Sequence, residues 1–268
     1  MLFSYLAHRR ACDDKQRERA GRIASPPEIH HEPLTPQDKN ILSQPTSFII
    51  AFVQTSSLHP SDVLTTYAKR ALQAHAQTDC LTEVTIAPAE KWARGANRSG
   101  PLAGMPVSLK DMFAVKGHDS CMGYSALCGK PLDYGDVFVM FLRDAGAVPY
   151  VKMNTPTTML SFEATNEAFG GTENPHKKGH SPGGSSSGES TLLALCGSRI
   201  GVGTDVACSV RAPSHYSGTY AIKSSMHRFV KTGSVLSMPG QEGVPATHSP
   251  MGKTLEDLET SFGVPCSR

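Results

Sequence analysis

The sequence lacks the charge imbalance and the long apolar runs that mark several classes of protein. It carries 26 Lys and Arg against 24 Asp and Glu, for a formal net charge of +2. Such a balance gives no reason to expect nucleic acid or an acidic membrane surface as a partner. The densest basic run, His176 to Lys178, is too short to form such a surface. The apolar run Phe48 to Val53 is far shorter than a membrane span requires. We therefore expect neither nucleic acid nor membrane as a partner.

Cysteine and histidine patterns that would indicate a disulfide framework or a metal site are also missing. The seven cysteines are odd in number and include no Cys-x-x-Cys pair, which argues against disulfides and structural zinc. The eleven histidines include no His-x-x-His or His-Glu-x-x-His arrangement, so no metal or other cofactor is expected. No cationic segment precedes the apolar opening residues 1–7, and Asp13 and Asp14 soon follow. We therefore do not interpret the opening as a secretion signal and predict a cytoplasmic protein.

The chain divides into a polar arm and a longer folded region. Residues 1–45 are polar, and several prolines would interrupt a long helix there. We predict a loosely ordered arm with one short helix around Asp13 to Ile23. Residues 46–268 are predicted to form a single domain. Its first firm helix follows Pro60, with Ser61 as the predicted N-cap.

Short apolar strands alternate with helical segments through the rest of the chain. Strands are predicted over 80–86, 104–109, 147–151 and 200–202. Helices are predicted over 88–94, 136–143 and 191–196. This alternation indicates an α/β layered domain.

Two segments combine residue types that would carry chemistry. In Pro106 to Asp111, Lys110 ends an apolar strand, although most strand-end lysines are simply solvated. Ser181 to Ser190 is rich in Gly and Ser and leads into an apolar helix, whose first amides can bind an anion. A flexible loop is the alternative. The spacing is near that of a phosphate-binding loop, but Glu189 stands where that motif requires lysine, and its carboxylate would repel phosphate.

A third segment, Gly203 to Arg211, is a strand followed by a tight turn with Ser209 at its tip. In isolation it would be an ordinary turn. Together the three segments resemble the amidase-signature family, which carries G-x-P-x-S-x-K-D, G-G-S-S-G-G-E and G-T-D-x-G-G-S-x-R motifs. The corresponding text here is GMPVSLKD, GGSSSGE and GTDVACSVR. The resemblance covers residues 60–262 and is strongest to fungal acetamidase-type members. It implies an α/β fold with a mixed, twisted sheet flanked by helices.

The resemblance also implies a catalytic role for three residues. Ser209 would be the nucleophile, Ser185 beside a cis peptide bond would relay its proton, and Lys110 would be the terminal base. A lysine acts as a base near pH 7 only where its surroundings lower its pKa. A serine hydroxyl both donates and accepts, so it can pass a proton in either direction. The implied reaction is hydrolysis of a small-molecule carboxamide to a carboxylate and ammonia or an amine, through an acyl-enzyme.

Backbone amides around the nucleophile would form the implied oxyanion hole, with Ser186 beside them. The predicted donors are Val206, Ala207, Cys208 and Ser209. Here the chain departs from the family, because Ala207 and Cys208 replace two glycines. A side chain at a position with positive φ costs about 1–2 kcal/mol or tilts the amide away. Thr204, Asp205 and Arg211 match the family and are predicted to support this loop, the last two as an ion pair.

The end of the chain is the second departure from the family. Family members continue well beyond the point that matches Leu258, whereas this chain stops at Arg268. On this basis we expect an incomplete domain that exposes apolar surface. Two alternatives therefore stay open besides an active amidase: an inactive amidase-fold binding module and an amidotransferase-type subunit. As for assembly, a homodimer stays open.

Overall fold

Strands and helices alternate along the chain in the computed structural model, which describes residues 2–241 and 243–264. The strands are β1 (Leu81–Val84), β2 (Pro106–Lys110), β3 (Val148–Met153), β4 (Thr165–Asn166), β5 (Gly170–Gly171), β6 (Ile200–Asp205), β7 (Tyr220–Ala221) and β8 (Thr247–Gly252). The α-helices are α1 (Leu2–Ala24), α2 (Pro36–Ser43), α3 (Thr46–Gln54), α4 (Pro60–Thr78), α5 (Ile86–Arg94), α6 (Val137–Asp144), α7 (Ser187–Ala194), α8 (Arg211–Ser217) and α9 (Leu255–Phe262). Single 3₁₀ turns lie at Glu28–His30, Ser125–Leu127 and Thr157–Met159.

Six of the strands form one mixed sheet, in the order β1-β3-β2-β6-β8-β7. In its centre, β2 runs parallel to both β3 and β6. The outer pairs, β1 with β3 and β8 with β6 and β7, are antiparallel. The strands β4 and β5 pair separately. The predicted α/β fold with a mixed sheet is confirmed.

Both faces of the central strands are covered by apolar side chains. Successive strand residues point to opposite faces. Val107 and Leu109 of β2 belong to one cluster with Leu142 of α6. Tyr150 of β3 belongs to a second cluster with Leu64 of α4. Because both faces are buried, these strands read in the sequence as nearly continuous apolar runs.

The parallel pairing of β2 with β6 decides where the functional side chains lie. Parallel neighbours end at the same edge of a sheet, so Lys110 at the end of β2 and Asp205 at the end of β6 lie near one another. α7 packs against β2 and β6, and the Gly/Ser loop before it therefore arrives at the same edge. The three sequence segments meet at this one place.

Two helix starts differ from the sequence prediction. α4 begins at Pro60, and the side chain of His59 rather than Ser61 caps it, with Nδ1 accepting from the Ser61 amide at 3.1 Å. Proline suits the first helical position because the amide it lacks would have no partner there. α7 begins at Ser187 rather than near residue 191, so the Gly/Ser run supplies its first turn.

The N-terminal arm is more helical than predicted. Instead of a loosely ordered stretch with a short helix over 13–23, residues 2–24 form α1, and α2 follows. α1 is held by distant residues, since Lys15 is only 2% exposed and pairs with Glu83 and with Asp119 (Nζ to Oδ2, 2.8 Å). Helices in proteins owe most of their stability to such tertiary contacts. The domain boundary at residue 46 stays a prediction.

Within the residues described, no helix combines the length and the apolar character needed to cross a membrane.

We expect Lys15→Ala to lower the free energy of unfolding by about 3–5 kcal/mol, because it leaves buried carboxylates without their ammonium partner. The matched control is Arg10→Ala on the same helix. The Arg10 side chain is 85% exposed and faces Asp14 at 3.9 Å, so this change should cost less than about 1 kcal/mol. Urea denaturation of both variants measures the difference. Equal, small effects would show that α1 is not docked through Lys15.

Candidate active site

Lys110 lies at the centre of the candidate site. Its side chain is 0% exposed, because β2 is flanked by strands on both sides and covered by α7. Nζ donates to Ser185 Oγ at 2.8 Å and to Thr204 Oγ1 at 3.0 Å. In the described ranges, no carboxylate forms an ion pair with it. A buried ammonium with only hydroxyl partners is poorly compensated, which favours the neutral amine.

The electrostatic environment of Lys110 lowers its pKa toward neutral pH. Burial lowers the pKa of Lys110 to about 7, although the nearby carboxylates of Asp205 and Glu189 oppose that shift. Burial raises the pKa of Glu189 to about 8, against the opposing effects of a hydrogen bond from Ser108 and the charge of Lys110. Glu189 Oε2 accepts from Ser108 Oγ at 2.6 Å, and both residues are buried. The lysine therefore has a carboxyl neighbour that is mostly uncharged at pH 7.

Ser185 lies directly before α7, where the predicted cis peptide bond is present between Gly184 and Ser185. The loop fits closely against the chain around it. A Cβ on Gly184 would lie 2.3 Å from the Ser161 carbonyl oxygen, so only glycine fits there. The next amide, that of Ser186, donates to the Ser209 carbonyl at 2.9 Å. The serine loop and the Ser209 turn are thus fastened to each other.

Asp205 organises the turn that carries Ser209. Its carboxylate accepts from the amides of Cys208 (2.9 Å) and Val210 (3.1 Å). Arg211 binds it with two hydrogen bonds, both 3.0 Å long. Burial alone would raise the pKa of Asp205, but these donors hold it below the usual range. The predicted ion pair between Asp205 and Arg211 is present. It fixes the conformation of the turn and favours the ionised form of the Asp205 carboxylate.

The hydrogen bonds of this turn leave three of the four predicted backbone amides as candidate oxyanion donors. The Cys208 amide is already bound to Asp205 and the Ser186 amide to Ser209. The amides of Val206, Ala207 and Ser209 remain the candidates for binding an oxyanion. Fixed backbone donors of this kind stabilise developing negative charge because they need no rearrangement during the reaction.

Ser185, Thr204 and Ser209 line one pocket, so the two predicted catalytic hydroxyls face a common space. The apolar part of its lining is formed by Met112, Met159, Leu160, Val206, Leu236, Met238 and Ala246. In the described parts of the chain, no three His, Cys, Asp or Glu side chains are placed to hold a metal ion.

Sequence reasoning missed two features of the site. It assigned Thr204 only to loop support, whereas the Thr204 hydroxyl accepts directly from Lys110 and donates to Met112 Sδ at 3.3 Å. It also missed the Ser108–Glu189 pair. The available signal was the strand period: Ser108 precedes Lys110 by two positions, so both side chains lie on the same face of β2.

The Cys208 position shows which of the two replaced glycines matters. Cys208 has φ of +97°, whereas Ala207 is absent from the residues of positive φ. We expect Cys208→Gly to raise the free energy of unfolding by about 1 kcal/mol, because glycine adopts this conformation without strain. Ala207→Gly is the matched control and should be neutral or destabilising. Denaturant unfolding distinguishes them, and a loss of stability on Cys208→Gly would contradict the assignment of strain.

Comparison with known proteins places this geometry in a family. A family model described as Amidase matches residues 62–267. The chain is 39% identical over 218 residues to fatty-acid amide hydrolase 1 of Sus scrofa, covering 81% of this chain and 38% of that protein. It is 40% identical over 236 residues to an amidase of Gibberella moniliformis, covering 84% and 44%. A solved structure of a fatty acid amide hydrolase matches with a TM-score of 0.81 and 31% identity, covering 94% of this chain and 45% of that chain.

The chain spans less than half the length of each of these relatives. The match nevertheless extends over all three motifs, and its start at residue 62 agrees with the resemblance predicted from residue 60 onwards. The sequence relatives and the superposed structure indicate the same family. The chain belongs to the amidase-signature family.

Proposed function

We propose that the chain carries the catalytic centre of an amide hydrolase, with Ser209 as nucleophile, Ser185 as proton relay and Lys110 as base. The observation that carries the proposal is the 2.8 Å contact between Lys110 Nζ and Ser185 Oγ, two side chains that are almost fully buried. The names of the relatives, an amidase and fatty-acid amide hydrolases, support amide bonds as the substrate class.

The relay begins with a change in the direction of the Lys110–Ser185 hydrogen bond. When the amine is neutral, its lone pair accepts from Ser185, which can then take the proton of Ser209 as that oxygen attacks the amide carbon. The tetrahedral intermediate places its oxyanion toward the amides of Val206, Ala207 and Ser209. The contact between Ser186 and Ser209 holds the two loops in register for this transfer.

The proton then returns along the same path. Protonated Lys110 gives a proton back through Ser185 to the departing nitrogen, because amines leave poorly as anions. An acyl group remains on Ser209, and a water molecule that gives up its proton to the same relay releases the carboxylate. The products are the carboxylic acid and ammonia or an amine.

The pocket favours an amide whose acyl part is apolar. Methionine and leucine side chains form most of its apolar lining, and the Lys231 side chain is the one cation among its described lining residues. Apolar substrate surface is favoured against such a lining because it leaves water there. The small-molecule amide of the sequence prediction is accordingly kept as the proposed substrate. The inactive binding module and the amidotransferase-type subunit remain the alternatives that experiment must exclude.

A fluorophosphonate probe should form a covalent adduct on Ser209, located by mass spectrometry. Lys110→Ala and Ser185→Ala should slow labelling by about 10²–10⁴-fold, since each removes a step of proton transfer. Ser237→Ala is the matched control, because Ser237 also lines the pocket but lies outside the relay, and it should label at the wild-type rate. Wild-type protein that is folded by circular dichroism yet forms no adduct would overturn the proposal in favour of an inactive module.

The labelling rate should rise with pH and level off above a midpoint near 7. The pKa of Lys110 is lowered to about 7 by burial, and only the deprotonated amine accepts a proton, so activity is lost as pH falls through that value. Labelling rates between pH 5.5 and 9 measure the profile in wild-type protein. A rate that keeps climbing toward the ordinary lysine value of 10.5 would contradict the assignment of Lys110 as base.

A further inference from the structure

Three thiols meet where α1 packs against residues 119–129, away from the serine–lysine site. Cys121 is fully buried, Cys12 on α1 is nearly so, and Cys128 is half-buried. The Cys128 side chain packs against the small apolar cluster that contains Cys121, and each of the two thiols shifts the pKa of the other. Burial, and then the neighbouring Cys128, raise the pKa of the Cys12 thiol. All three are free thiols in this structure.

The contact between Cys121 and Cys128 is built by local backbone turns. The Cys121 carbonyl accepts from the Tyr124 amide at 2.8 Å, and the Cys128 amide donates to the Ser125 carbonyl at 3.2 Å. Two successive turns therefore fold the segment back on itself. Each thiol also reaches a carbonyl of the same segment, Cys121 that of Leu127 (3.7 Å) and Cys128 that of Tyr124 (3.6 Å). The two cysteines are therefore brought together within one short folded loop, as a disulfide between them requires.

The two thiols differ in exposure and in pKa. Their interaction lowers the pKa of Cys128 and raises the pKa of Cys121. The ammonium of Lys15, 2.8 Å from Asp119 Oδ2, favours the thiolate of both cysteines, whereas Asp111 opposes it in both. Asp119 also accepts from the Gly129 amide at 2.7 Å and from Cys121 Sγ at 3.8 Å. Cys128, the more exposed of the two, is thus the better placed nucleophile.

We propose that Cys128 and Cys121 form a peroxide-sensitive dithiol that closes reversibly as a disulfide. The Cys128 thiolate attacks one oxygen of hydrogen peroxide, breaks the O–O bond and becomes a sulfenic acid, while the other oxygen leaves as hydroxide and takes a proton. Cys121 then attacks the Cys128 sulfur, and its proton leaves with the hydroxyl group as a second water. Two thiols and one peroxide give one disulfide and two waters.

The dithiol segment touches two parts of the candidate active site. The Met122 amide, next to Cys121, donates to Asp111 Oδ2 at 2.6 Å, and Asp111 directly follows Lys110. The Gly123 carbonyl accepts from Thr157 Oγ1 at 3.5 Å, two residues before Met159 in the pocket wall. A disulfide would therefore brace a segment that contacts the neighbours of Lys110 and of the pocket wall along the chain. The proposal itself does not depend on the proposed function.

The test is oxidation of the native chain by equimolar hydrogen peroxide in the presence of a chelator, followed by alkylation and tryptic mass spectrometry. Residues 117–143 form one tryptic peptide, since Lys130 precedes a proline, and this peptide contains both cysteines and no others. We expect it to lose the mass of two hydrogen atoms, to resist alkylation and to recover on treatment with dithiothreitol. Cys80, fully buried, serves as the internal control and should stay reduced.

Two variants assign the roles. Cys121→Ser should leave Cys128 to proceed to sulfinic acid when a second equivalent of peroxide is added, and Cys128→Ser should slow oxidation of this peptide by about tenfold or more, because the lower-pKa thiol is lost. A cross-link between this peptide and the one containing Cys12 would overturn the pairing. So would sulfinic acid on Cys128 in the wild-type chain while Cys121 stays reduced, or no oxidation of either cysteine.

Discussion

One lysine nitrogen kept out of water determines the arrangement of the site. Lys110 is fully buried, and its nitrogen is bound to the hydroxyls of Ser185 and Thr204. A charged ammonium in such surroundings is unfavourable, whereas a neutral amine fits them. The packing that buries β2 between β3 and β6 thereby lowers the pKa of this lysine. The sheet topology thus sets the protonation chemistry of the site.

Two neighbouring carboxylates oppose the effect of burial on Lys110 without overcoming it. Asp205 accepts hydrogen bonds from two backbone amides and from Arg211, and these fix the turn that carries Ser209. Glu189 is buried beside Ser108, and burial raises its pKa to about 8. A carboxyl group with a raised pKa carries less charge near neutral pH, so it raises the pKa of Lys110 less than a fully ionised carboxylate would.

Local motifs made the fold class and the three site segments predictable, because glycine-rich turns and apolar strands leave their pattern in the sequence. The helical arm could not be predicted in the same way. α1 is stabilised by contacts of Lys15 with Glu83 and Asp119, residues far away along the chain, and no local pattern records them. Likewise, the sequence showed that Ala207 and Cys208 replace glycines, but only the backbone shows that Cys208 takes the positive φ.

The central claim is that Lys110 is uncharged in the folded protein near neutral pH, and NMR titration tests it most directly. Lysine labelled with ¹³C at the ε carbon would be followed against pH, with Lys110→Arg identifying the signal. The account predicts one lysine that titrates with a midpoint near 7, as burial sets the pKa of Lys110. If that signal instead titrates near the ordinary lysine value of 10.5, the buried amine is charged and the proposed relay is wrong.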